Sequence, residues 1–171
     1  MAAAAEEGGS DEIEALAARV LAACRRRGFM VATAESCTGG LVTGALTAVP
    51  GSSDVVDRGF VTYSNAAKKT MLGVPSGVLE RHGAVSRETA EAMAEGALAR
   101  SAAALAVAVT GIAGPGGGSA DKPAGLVHFA AAARDGRRLH REVRFGDIGR
   151  AAVRARSVAE ALAMLAALAA V

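Results

Sequence analysis

Apolar residues stand at helical spacing at Ile13, Leu16, Ala17, Val20 and Leu21, which predicts a helix over residues 11–27, capped by Ser10 and ended by Gly28. A short apolar run at 29–34 reads as a strand, and residues 38–48 read as a helix closed by Pro50-Gly51. Residues 55–63 form a second strand, where Gly59 marks a bulge or a close backbone approach. Asn65 caps a short helix through Leu72, and residues 75–82 make a further short helical or turn segment. Val85 is a brief strand position, and Ser86 with Thr89 opens a helix to about residue 100. The apolar run 104–109 is a third strand, feeding a glycine-rich loop at 110–119. Strands at 126–132 and 139–145 flank Asp135-Gly136, a strong hairpin turn, and a long helix at 150–170 closes the pattern.

Helix and strand alternate and a hairpin follows, so the fold class is α/β, with a mixed sheet and helices on both faces. Functional loops then belong at the C-terminal ends of the parallel strands. Residues 1–9 are mostly Ala, Glu and Gly and lack the basic start and apolar core of a signal peptide. They read as a flexible tail over 1–10, ahead of one domain at 11–171. The apolar run 161–171 is about half the length needed to cross a bilayer and reads as the end of a packed helix, so no membrane association is expected.

Composition narrows the picture. Hydrophobic residues make up 51% of the 171, which argues against global disorder. Aromatics are only 3% and Ala is abundant, so the core is expected to use small, closely approaching elements. A net charge of +2, one Tyr and no Trp give little support for a base-stacking face, and no nucleic-acid partner is expected. The arginines between 134 and 156 fit a solvated face with an anion site. Cys24 and Cys37 are too few for a disulfide framework and fit a reduced, cytoplasmic setting.

The chemistry concentrates in four places. Thr33-Ala-Glu-Ser-Cys-Thr-Gly-Gly40 carries Ser36, Cys37 and Thr38 from a buried strand to a helix N-terminus, where free N–H groups and the helix dipole favour negative charge. Ser36 or Thr38 either caps that helix or serves a bound substrate, and Gly39-Gly40 permits close approach. Glu35 is either a solvated or ion-paired carboxylate or part of the site. Gly59-Phe-Val-Thr-Tyr-Ser-Asn65 precedes Lys68 and Lys69. With Asn65 as cap, Lys68 meets the positive end of a dipole, which lowers its pKa toward that of a general base for Ser. Otherwise both lysines are ordinary surface residues. The loop Thr110-Gly-Ile-Ala-Gly-Pro-Gly-Gly-Gly-Ser119 is neither a Walker A loop nor a dinucleotide fingerprint. It either presents N–H groups to a phosphate or oxyanion or is a flexible surface loop. Arg150 and Arg154 either grip an anion or belong to a solvated face.

His82, His128 and His140 are isolated and no Cys-His cluster has metal-ligand spacing, so no metal site is expected. No motif marks a Ser-His-Asp triad. Cys37 is either a competing nucleophile or a packed thiol.

Taken together these motifs resemble the C-terminal domain of the CinA family, the nicotinamide mononucleotide deamidases. The resemblance also rests on His82-Gly-Ala-Val-Ser86, Lys122-Pro-Ala-Gly125 and Arg150-Ala-Ala-Val-Arg154, and spans nearly everything from about residue 11 onward. It implies a three-layer α/β/α sandwich with a mixed, mostly parallel sheet, often a homodimer, in a stand-alone form. It implies hydrolysis of the carboxamide of nicotinamide mononucleotide to nicotinate mononucleotide and ammonia, with no metal or organic cofactor. By motif, Ser36 becomes the nucleophile, Lys68 its base and Tyr63 an aid to proton transfer. Thr38, Gly39 and Gly40 shape an anion pocket, Thr110, Gly111 and Gly114 line the site, and Arg150 holds the mononucleotide. Phe145-Gly-Asp-Ile-Gly-Arg150 is longer than the Gly-Asp-Arg of many relatives, so the match is weakest there. The alternative is a non-catalytic nucleotide-binding or regulatory module linked to competence or DNA damage.

Overall fold

The computed structural model describes residues 2–171, with side chains from residue 9 onward. The elements are α1 (Ala2–Arg27), β1 (Val31–Glu35), α2 (Leu41–Thr47), a 3-10 turn (Ser52–Asp54), β2 (Val56–Val61), α3 (Asn65–Leu72), α4 (Ser76–His82), α5 (Arg87–Ala99), β3 (Leu105–Gly111), β4 (Leu126–Ala133), β5 (Arg138–Arg144) and α6 (Arg150–Ala169). The backbone is helical from Ala2, so Ser10 lies inside α1 and does not cap it. The tail expected over 1–10 falls mostly outside the residues whose side chains are described.

The strand order is β2-β1-β3-β4-β5. β1 pairs in parallel with β2 and β3, and β4 runs antiparallel to both β3 and β5. Four strands therefore point one way and β4 the other, the mixed, mostly parallel sheet of an α/β/α sandwich. β1 is buried at every position, as a central strand covered on both faces must be.

Strand alternation divides the core in two. Val31, Leu105, Val107, Val109 and Phe129 pack with α1, α2 and α6. Ala32, Ala34, Ala106, Ala108, Ala130 and Ala132 point the opposite way, toward α3 and α5. The abundance of Ala thus has a local meaning: it lets α5 lie close on one face. Gly96 of α5 continues the theme, since a Cβ there would stand 2.1 Å from the Leu72 carbonyl oxygen of α3.

Several boundaries differ from the sequence pattern. α2 begins only at Leu41, because the residue at its cap position, Gly40, is left-handed at φ 102° and has no side chain to cap with. Neither Ser36 nor Thr38 is therefore a helix cap. α3 is capped by Ser64, whose hydroxyl accepts from Ala67 N–H at 3.0 Å, and Asn65 is its first helical residue. The irregularity in β2 is at Asp57: Val31 pairs with Val56 and Ala32 with Arg58, while Gly59 pairs regularly with Thr33. Gly59 is instead a close-approach position, with the Thr43 hydroxyl 2.2 Å from where its Cβ would be. Val85 joins no strand, whereas Ser86 caps α5 through Thr89 N–H at 3.1 Å, as its spacing predicts.

Candidate active site

Ser36 follows the last residue of β1, and its N–H donates to Val109 O of β3 at 2.9 Å. That bond continues the parallel ladder by one residue and fixes the side chain at the C-terminal edge of the sheet. Lys68 reaches this edge from α3. Its ammonium nitrogen donates to Ser36 Oγ at 3.0 Å and to Thr62 O at 2.8 Å. Lys68 is 1% exposed, among the largest fully buried side chains. Burial pushes its pKa below the ordinary lysine value, against a smaller opposing influence of the neighbouring Cys37 thiol. The dipole argument from a first-turn position is replaced by desolvation: Ser64, not Asn65, is the cap, so Lys68 sits one residue deeper in the helix.

Ser36 and Lys68 open onto a cleft of about 340 Å³. Thr110, Gly111 and Gly114 line it from the β3 loop, and Tyr63 and Arg150 stand on its rim. Thr110 is buried and its hydroxyl donates to Ala84 O at 2.7 Å, so it anchors the segment before α5 against the site. Arg150 donates to Gly114 O and to Tyr63 Oη, both at 2.9 Å, tying the glycine-rich loop to the far wall. Tyr63 is 60% exposed and its hydroxyl bonds Arg150, not Lys68 or Ser36, so the expected Tyr63–Lys68 proton pair does not form.

Thr38, Gly39 and Gly40 do not line the cleft. The N-terminus of α2 is already filled by the chain's own carboxylate. Glu35 accepts from Gly40 N–H, Val42 N–H and Thr43 N–H at 3.0, 3.0 and 2.9 Å. The helix end expected to receive a substrate anion thus receives Glu35, which is buried and has no ion-pair partner among the described residues. Gly39 N–H turns back to Ser36 O at 3.0 Å, and Thr38 is fully buried. Arg154 grips the same turn, donating to Cys37 O and Thr38 O, both at 3.2 Å. It braces the backbone of this turn and does not line the cleft.

Cys37 is 5% exposed and packs in the core, where burial raises its thiol to about 11. A thiol raised this far is disfavoured as a competing nucleophile at neutral pH, although Cys37 also lines the cleft beside Ser36. Lys122, which spacing alone left without a role, donates from Nζ to His82 O and closes the glycine-rich loop onto α4. The one signal for it was its place in Lys122-Pro-Ala-Gly125. A larger groove of about 480 Å³ between α3 and α5 holds none of the predicted site residues. Among the described residues no group of three or more His, Cys, Asp or Glu is arranged to hold a metal, and no helix is long and apolar enough to cross a membrane.

Fold and site together define a class: an α/β domain with a serine–lysine pair at the C-terminal end of its central parallel strands. Residues 13–169 match the family described as the CinA C-terminal domain, and the chain belongs to that family. A nicotinamide-nucleotide amidohydrolase, PncC, of Enterobacter agglomerans is 52% identical over 130 residues, which are 76% of this chain and 79% of that protein. A CinA-like protein of Synechococcus sp. strain RCC307 is 53% identical over 158 residues, 92% of this chain. The chain spans only 37% of that relative's length, and 26% of a competence-damage inducible relative from Caldicellulosiruptor bescii. The crystal structure of the competence/damage inducible protein CihA from Agrobacterium tumefaciens is similar with a TM-score of 0.91 at 62% identity, covering 92% of this chain and 95% of that one.

Proposed function

We propose that this domain hydrolyses the carboxamide of nicotinamide mononucleotide to nicotinate mononucleotide and ammonia, with Ser36 as nucleophile and Lys68 as base. One observation carries the reading: a fully buried lysine amine 3.0 Å from a serine hydroxyl, at the floor of a cleft. A neutral amine there donates to Thr62 O and takes the Ser36 proton as Oγ attacks the carboxamide carbon. The resulting oxyanion needs a donor. Cys37 N–H, directly after the nucleophile, is paired with no other residue's acceptor among the described residues and is the donor at hand. The C–N bond then breaks, Lys68 returns the proton to the leaving nitrogen, and ammonia departs from a Ser36 ester. Water then attacks the acyl carbon as Lys68 takes its proton; the bond to Ser36 Oγ breaks, Lys68 hands that proton to Oγ, and the nicotinate product leaves with the hydroxyl regenerated.

Arg150 and the loop from Gly111 to Gly114 are the groups for the 5′-phosphate, and Tyr63 holds Arg150 in place from the opposite wall. The relative named a nicotinamide-nucleotide amidohydrolase supports the substrate class. The same reading implies a cytoplasmic homodimer that works without metal or organic cofactor.

Ammonia release from nicotinamide mononucleotide by the purified protein tests it. The wild type is expected to turn over and Ser36→Ala to lose at least about a thousandfold in rate. Unchanged release from Ser36→Ala sinks the mechanism. Calorimetric binding with no turnover by the wild type favours a regulatory module instead.

A further inference from the structure

Glu35 and Ser36 are neighbours in the chain that face opposite layers of the sandwich. Strand alternation sends Glu35 toward α2 and Ser36 toward Lys68 on α3. Between them and α2 lies the turn 36–40, which passes through left-handed Gly39 (φ 58°) and Gly40 (φ 102°). The Glu35 carboxylate is 1% exposed and spans this turn from inside. One oxygen accepts from Gly40 and Val42 N–H, and the other from Thr43 N–H and the Thr43 hydroxyl at 3.1 Å. The Thr33 hydroxyl adds a longer contact at 3.3 Å. A glutamate carboxylate is acceptor-only when ionised, and here its two oxygens face only donors. So strong a tie costs a buried charge, which the helix N-terminus offsets.

We propose that Glu35 is a positioning residue for the reaction: it locks the turn 36–40 so that the Ser36 hydroxyl stays on the Lys68 amine. The inference rests on the Ser36–Lys68 reading above. Glu35 touches no reacting group, because its carboxylate is on the α2 side of the sheet. Its effect is on the aim of its neighbour, where displacements of an ångström cost on the order of a hundredfold in rate. The contacts with Thr43 are held in turn by the absence of a side chain at Gly59, over which the Thr43 hydroxyl lies.

Glu35→Gln keeps the shape but turns amide hydrogens onto N–H donors, so it loosens the turn without emptying the space. Two readouts are used: ammonia release from nicotinamide mononucleotide, and the rate at which a small fluorophosphonate labels Ser36, followed by mass spectrometry. Both are run across pH, on protein shown to be folded by circular dichroism. Expected for Glu35→Gln are a ten- to hundredfold drop in kcat and in labelling, a KM within about threefold of wild type, and an unmoved acid limb. Labelling of folded Glu35→Gln at the wild-type rate overturns the proposal. So does a shift of the acid limb by more than about one pH unit, which would make Glu35 an electrostatic partner of Lys68. If Glu35→Gln does not fold, Thr43→Val removes one donor at the far end of the tie, and an unslowed Thr43→Val overturns the proposal equally. A wild type that neither labels nor turns over overturns the Ser36–Lys68 reading itself.

Discussion

The Arg150 guanidinium donates to the Tyr63 hydroxyl at 2.9 Å across the rim of the cleft, joining residues 87 apart in the chain. A second nitrogen of the same group donates to Gly114 O, so one planar fork bridges two walls. Arg150→Ala removes both bonds along with the cation proposed to meet the phosphate. KM is expected to rise about ten- to a hundredfold, with kcat changed far less. Tyr63→Phe removes one neutral partner of the fork and should raise KM by only about three- to tenfold. Steady-state kinetics on both variants checks the order; a Tyr63→Phe that loses kcat with KM unchanged would restore the proton-transfer role.

Lys68 makes activity and stability depend on pH in a fixed direction. Only the neutral amine accepts the Ser36 proton, so the rate rises with pH, and burial brings the midpoint of that acid limb below the ordinary lysine value of 10.5. Lys68→Arg stays charged at every accessible pH and should lose at least about a thousandfold throughout. The stability consequence has the same origin. Between the lowered folded pKa and 10.5 the unfolded chain binds more protons at this position than the folded one. Relative to Lys68→Met, the wild type therefore gains stability as pH rises through that window. Paired denaturation curves from neutrality to about pH 10 test this, and a wild type that fails to gain stability relative to Lys68→Met as pH rises would count against a buried, readily neutralised amine.

Cys37 separates packing from chemistry within one turn. With its thiol near 11 and its side chain in the core, Cys37→Ser should keep activity within about threefold of wild type. The substitution places a hydroxyl in an apolar setting and should cost about 1–2 kcal/mol of stability, read as a lower unfolding midpoint. Alkylation of Cys37 by iodoacetamide below about pH 9 should be slow in the folded protein. Rapid alkylation that abolishes turnover would return the thiol to the list of nucleophiles.

Local pattern carried the elements further than it carried the site. The alternation of helices and strands, the Asp135-Gly136 hairpin and the Ser86 cap are consequences of residues close in sequence, and each stands where its pattern put it. Ser36 and Lys68 were nameable because both sit at strand or helix ends with recognisable neighbours. Their 3.0 Å contact, by contrast, depends on β2 delivering α3 beside β1 in parallel register. The misread positions share one cause. A carboxylate before a helix N-terminus looks like a surface charge until the fold buries it, so sequence alone points to Thr38, Gly39 and Gly40 as the anion pocket whose N–H groups Glu35 occupies. Tyr63 followed the same course, since nothing near it in sequence announces Arg150.

Two helical glycines should respond to the same substitution with opposite signs. Gly44 lies within α2 with no atom within 4 Å of where its Cβ would be. Gly44→Ala adds helix propensity and limits the unfolded chain, and should stabilise by about 0.5–1 kcal/mol. Gly96 lies within α5, and its Cβ would stand 2.1 Å from the Leu72 carbonyl oxygen, which also accepts from Arg100 at 2.8 Å. The obstacle is backbone and cannot rotate away, so α3 and α5 must separate. The propensity gain is then outweighed, and Gly96→Ala should cost about 2–4 kcal/mol, roughly 5–15 °C in Tm. α3 also carries Lys68, so folded Gly96→Ala should lose kcat by about tenfold while KM holds, whereas Gly44→Ala should leave both unchanged. Thermal melts and kinetics on the two variants decide the point: a Gly96→Ala at least as stable as wild type would mean that α3 and α5 do not approach as closely as the Gly96–Leu72 contact requires.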